Sequence, residues 1–121
     1  MKRILVIDDS LTIRTAIRRI LESVGHQVDE AEDGKRALER CQAAPPDAIL
    51  CDIDMPVMDG LTFLSTLRKS PQLRQPPVIM CTTHNTFDKI QTALTLGANE
   101  YIMKPFDAEI VTTKLASCGV A

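Results

Sequence analysis

The chain has 121 residues, 45% of them hydrophobic and 25% charged, with 14 Lys and Arg against 16 Asp and Glu for a net charge of -2. That length suits one domain spanning residues 1–121, and the composition excludes a disordered, collagen-like or coiled-coil chain. No basic stripe is visible, which argues against a nucleic-acid binder.

Met1, Lys2 and Arg3 lead into a run of four apolar residues, Ile4 to Ile7, which Asp8 and Asp9 stop. Such a run is too short for a signal-peptide core or a membrane span, so a cytoplasmic chain without membrane insertion is expected. Ile13, Ala16, Ile17, Ile20, Leu21 and Val24 follow as one stripe at helical spacing, with Arg14, Arg18 and Arg19 turned away from it. Ser10 is placed to cap that helix and Gly25 to end it. His26 to Ala31 reads as a weaker strand near a sheet edge, with only Val28 and Ala31 apolar. Ala37, Leu38 and Cys41 mark a second helix, closed by Pro45-Pro46.

Ala48 to Cys51 is a second continuous apolar run, followed by a helix through Leu61, Leu64 and Leu67 that ends near Pro71. Val78 to Cys81 is the next run, and Ile90, Ala93 and Leu94 mark a helix closed by Gly97. Tyr101 to Met103 is the last, before a helix through Ile110, Val111 and Leu115 that Asp107 is placed to cap. Strands that are apolar throughout suit a parallel sheet covered on both faces. Five strand-helix units with right-handed crossovers therefore predict an α/β, doubly wound five-stranded parallel sheet. Cys41, Cys51, Cys81 and Cys118 show no CxxC or Cys-His ligand spacing, so reduced thiols are expected rather than disulfides or a zinc site.

Doubly wound sheets place ligands at the carboxyl ends of their strands. The first strand ends in Asp8-Asp9, the third in Asp52, the fourth in Thr82-Thr83, and the fifth runs into Lys104-Pro105. Carboxylates gathered on one rim raise one another's pKa unless a cation joins them. Mg²⁺ suits that role, since it is held by a few carboxylates together with waters and phosphate oxygens.

Asp8-Asp9 after Ile-Leu-Val-Ile, Asp52 followed by Met55-Pro56 and Asp59-Gly60, then Thr82, then Lys104-Pro105 form an ordered set. On these residues the chain resembles the receiver domain of two-component response regulators along essentially its whole length. The resemblance implies a CheY-like, flavodoxin-like sheet with strand order 2-1-3-4-5. It implies Asp52 as the phosphoacceptor for a sensor histidine kinase. Asp9 and Asp52 would ligate Mg²⁺ by carboxylate, Asp54 by its backbone carbonyl, and Asp8 through water. Lys104 would pair with the acceptor carboxylate and then with a phosphoryl oxygen. Thr82 would donate its hydroxyl to the phosphoryl group, and Tyr101 would turn inward as Thr82 moves. The Lys104–Pro105 bond would be cis. Asp54 and His84 stand where they would tune phosphoryl lifetime.

No output module is expected after Ala121, and such a receiver, expected to be a monomer, would signal through the fourth helix, fifth strand and fifth helix. Its overall look is similar to that of single-domain chemotaxis regulators that bind the flagellar motor switch. A phosphate sink, a relay intermediate or a regulator of a kinase would use the same site. A haloacid-dehalogenase-like phosphohydrolase is the enzyme-class rival, because Asp52-Ile53-Asp54 also reads as a DxD after a strand. Against it stand Pro56, the acidic pair already ending an earlier strand, and the short chain.

Overall fold

The computed structural model describes residues 2–83 and 87–120. Along the chain run β1 (Arg3–Ile7), α1 (Leu11–Ser23), β2 (Gln27–Ala31), α2 (Gly34–Ala43) and β3 (Ala48–Asp52). Then come α3 (Gly60–Arg68), β4 (Val78–Thr82), α4 (Phe87–Leu96), β5 (Glu100–Met103) and α5 (Ala108–Ser117). All neighbouring strands are parallel, in the order β2-β1-β3-β4-β5. This is the doubly wound arrangement expected from the sequence.

Alternation along the strands divides the core in two. Leu5, Ile7, Ile49, Cys51, Val78 and Met80 pack under α2, α3 and α4, against Ala37, Cys41, Phe63, Leu64, Leu67 and Ala93. Ile4, Val6, Leu50, Ile79, Cys81 and Ile102 pack under α1 and α5, against Ile17, Leu21, Val111 and Leu115. β1, β3 and β4 are covered on both faces, which is why Ile4–Ile7, Ala48–Cys51 and Val78–Cys81 within them are apolar without alternation. β2 stands at one edge with Gln27 exposed and Asp29 and Glu30 half-buried, which accounts for its weak signal.

Among the described residues, four helices start on a side chain that accepts a hydrogen bond from a first-turn N–H. The acceptors are Ser10, Asp33, Asp59 and Asp107. Each such cap contributes about 1 kcal/mol. α1 ends on Gly25, whose φ of +93° only glycine adopts freely. There the Gly25 N–H reaches the Glu22 carbonyl and the His26 N–H reaches Leu21, which satisfies the last turn. The cysteines are free thiols, three of them buried.

One face of α1 departs from its pattern. Ala16 and Val24 belong to the apolar stripe yet are exposed. Arg14 and Arg18, expected to point away into solvent, instead fold over the sheet edge to the Glu30 carboxylate, at 2.8 and 2.7 Å. The cause is the position of Glu30 on the neighbouring strand. No helix of the described residues is long and apolar enough to cross a membrane.

Candidate functional site

Strand parity brings three of the rim residues together. Asp8, Asp52 and Lys104 each follow by two residues an α1/α5-facing core residue, Val6, Leu50 and Ile102 respectively. They therefore leave the sheet on the same side, at the carboxyl ends of β1, β3 and β5. Carboxylate oxygens of Asp8, Asp9 and Asp52 lie within 4.8 Å of one another, a spacing that can hold a metal ion. Asp8 and Asp52 are only 2% and 9% exposed, whereas Asp9 is open to solvent.

Lys104 enters from the loop after β5, just before the cis Lys104–Pro105 bond. Its Nζ lies 2.7 Å from Asp8 Oδ2 and 3.4 Å from Asp52 Oδ1. The ammonium thus bridges two carboxylates and sits closer to Asp8 than to the residue expected to be its partner. Asp8 Oδ1 accepts the Ser10 N–H at 2.9 Å, and Asp52 Oδ1 accepts the Ile53 N–H at 2.9 Å. Burial pushes the Asp52 carboxyl above its ordinary value and the Asp8 charge adds to this, against the pull of Lys104. Burial alone would lower Lys104. The bond to Asp8 and the charges of Asp52 and Asp8 outweigh it, so Lys104 is raised and stays protonated. Three carboxylates and one ammonium leave a formal charge of -3 + 1 = -2. A hard divalent cation fits both that charge and that all-oxygen donor set.

Thr82 ends β4 and is buried, with Met103 as its register partner on β5. Tyr101 pairs in register with Met80, two residues before Thr82. Both therefore lie on the α3/α4 side of the sheet. Tyr101 is half-buried against that core, with Lys114 Nζ 5.6 Å from its ring centroid. Asp54 is exposed two residues beyond Asp52. His84 lies outside the described residues.

The loop between β3 and α3 is drawn tight against the acceptor strand. The Gly60 N–H bonds the Ile53 carbonyl at 2.8 Å, and a Cβ at Gly60 would overlap the Asp52 carbonyl oxygen. In the same loop Val57 takes a φ of +67°, a costly conformation for a β-branched residue.

Sequence reasoning missed one contributor to this site. Arg14 donates from a guanidinium nitrogen to the Asp8 backbone carbonyl at 2.6 Å while its Nε holds Glu30. The only available signal was the spacing of Arg14 and Arg18 on one helix and a lone Glu at the end of a near-edge strand.

A doubly wound sheet whose strand ends gather three carboxylates and a lysine defines a switch-point acidic site. The chain belongs to the response regulator receiver domain family, which it matches over residues 4–116. It is 37% identical over 115 residues to the chemotaxis protein CheY1 of Helicobacter pylori, covering 93% of each chain. It is 41% identical over 112 residues to part of the sensor histidine kinase CheAY of the same organism. That match takes in 91% of this chain but 14% of the kinase. Among solved structures, the chemotaxis protein CheY4 of Vibrio cholerae is similar, with a TM-score of 0.91, 35% identity and 98% of each chain covered. The chain is thus a CheY-like receiver of two-component signalling, and the family decides against the phosphohydrolase alternative.

Proposed function

We propose that residues 1–121 act as one phosphorylation-activated switch that takes a phosphoryl group onto Asp52 from a phosphohistidine of a sensor histidine kinase. The observation that carries this reading is the gathering of Asp8, Asp9 and Asp52 within 4.8 Å, with the Lys104 ammonium between two of them. Asp9 and Asp52 would hold Mg²⁺ by carboxylate and Asp54 by its backbone carbonyl. Asp8, with its oxygens already bonded to Ser10 and Lys104, would take part through water. When bound there, such a cation would supply charge stabilisation to a transferring phosphoryl group, whose negative charge spreads over three oxygens.

In the transfer the bond from phosphorus to the histidine nitrogen breaks and one to an Asp52 oxygen forms. Lys104 shifts from the carboxylates toward a phosphoryl oxygen, and the Thr82 hydroxyl donates to another. Hydrolysis of the acyl phosphate returns the resting carboxylate, at a rate set in part by Asp54 and His84. The test is acetyl phosphate with Mg²⁺ followed by borohydride trapping and mass spectrometry. The label is expected on Asp52, and an unchanged label in Asp52→Asn overturns the assignment.

The output is read from α4, β5 and α5, and the target is the flagellar motor switch. Support comes from the chemotaxis names of the Helicobacter and Vibrio relatives. The likeness to part of a sensor histidine kinase supports a second reading, a phosphate sink or relay that regulates a kinase. A pull-down with and without beryllofluoride separates the two: a motor component captured only with beryllofluoride supports the first, a kinase alone the second.

A further inference from the structure

The backbone of Asp8 is held at both ends. Its N–H donates to the Ala31 carbonyl at 3.1 Å, and its own carbonyl accepts from Arg14 at 2.6 Å. That second bond is short and charge-assisted, and so among the stronger kinds of hydrogen bond. The Arg14 side chain is only 14% exposed, and its Nε is anchored at 2.8 Å on Glu30 Oε1. Glu30 Oε2 is taken in turn by Arg18 at 2.7 Å, and Arg18 also reaches Glu22 at 3.1 Å. The guanidinium is therefore oriented and its charge balanced, so it adds no bare positive charge beside the acidic rim.

The Asp8 carbonyl belongs to the peptide plane that also carries the Asp9 N–H. Fixing that oxygen fixes where Asp9 begins. This matters because Asp9 is exposed, and no hydrogen bond among the described residues orients its carboxylate. Asp52 by contrast is aimed by Ile53 and Lys104. The direction of the Asp9 side chain depends on its backbone, and the Arg14 bond to the Asp8 carbonyl bears directly on the peptide that begins it.

We infer that Arg14, aligned by Glu30, is a positioning residue for the cation site, acting on Asp9 through the Asp8–Asp9 peptide. The inference rests on the Mg²⁺ reading above. Partners that orient metal ligands from outside the ligand set typically change affinity 10- to 100-fold when removed. Arg18 is the control, because it shares Glu30 with Arg14 and forms no bond to Asp8.

The experiment is calorimetric titration of Mg²⁺ into the unphosphorylated parent, Arg14→Ala, Arg14→Lys and Arg18→Ala, with a thermal midpoint for each. Arg14→Ala is expected to weaken Mg²⁺ about tenfold. Arg14→Lys should fall between it and the parent, since an ammonium lacks the fork that serves Glu30 and the carbonyl together. Arg18→Ala should lose thermal stability yet keep the parent affinity. Where Arg14→Ala does not fold, Arg14→Lys against Arg18→Ala decides. Saturating Mg²⁺ should restore the phosphorylation rate of Arg14→Ala with acetyl phosphate. Parent-like affinity in the Arg14 variants overturns the inference, as does a loss that Arg18→Ala shares or a rate defect that saturating Mg²⁺ leaves in place. A parent that binds no Mg²⁺ is a distinct result, which overturns the cation reading itself and this inference with it.

Discussion

Replacing Lys104 by Met removes the ammonium that joins Asp8 to Asp52, at 2.7 and 3.4 Å. The site then carries three carboxylates, and its formal charge moves from -2 to -3. Carboxylate charges no more than 4.8 Å apart repel by about 3 kcal/mol or more at an effective dielectric of about 20, a repulsion that the ammonium offsets in the parent. That agrees with the roughly 3–5 kcal/mol lost when a buried ion pair loses one member. For a chain of this size about 3 kcal/mol corresponds to a fall in midpoint of about 12 °C.

The loss should depend on both pH and metal. Lys104 opposes the burial that raises Asp52, so without it the Asp52 carboxyl rises further. A raised carboxyl weakens the fold as pH climbs through its folded value. The deficit is therefore fullest near neutrality and fades as Asp52 protonates. Mg²⁺ should bind the variant about tenfold more tightly, worth about 1.4 kcal/mol, because it meets no competing ammonium. Melts in EDTA and in saturating Mg²⁺, followed by circular dichroism, measure both effects. A variant that melts with the parent in EDTA, or gains no more than the parent from Mg²⁺, refutes the charge-balance argument.

Gly60→Ala should lose about 3 kcal/mol, the upper end for overpacking, because the added Cβ meets the Asp52 carbonyl and stands 3.0 Å from the Ile53 Cα. Gly25→Ala, strained in φ but with open space, should lose only about 1 kcal/mol by urea denaturation. For Glu30, burial is outweighed by the Arg18 and Arg14 bonds, so its carboxyl lies below the ordinary glutamate value. Its stabilisation is present above that ordinary value and is lost as pH falls through the lowered one. Glu30→Gln should thus be less stable by about 1 kcal/mol at neutral pH and converge with the parent in acid, as pH-dependent denaturation will show. Thr82→Ala should still accept phosphate at Asp52 but lose the beryllofluoride-induced gain in partner affinity. A coupling of about 1–3 kcal/mol is at stake, and equal enhancement in variant and parent would exclude Thr82 as the link.

The order and type of the elements were readable from hydrophobic pattern alone. Ile4–Ile7, Ala48–Cys51 and Val78–Cys81 must be apolar because helices cover both faces of their strands, and that requirement is written into consecutive residues. The caps at Ser10 and Asp107 and the turn at Gly25 were equally local. The carboxylates and Lys104 could be assigned to one rim, since each closes a strand of a parallel sheet. What they do to one another was not readable. Lys104 and Asp8 are 96 residues apart in sequence, and only the packed sheet decides that the ammonium lies nearer Asp8 than Asp52. Arg14 shows the same limit from the other side. Helical periodicity counts the apolar stripe of α1 and assigns every off-stripe residue to solvent. It has no information about Glu30, which reaches Arg14 only because β2 lies beside β1 in the folded sheet.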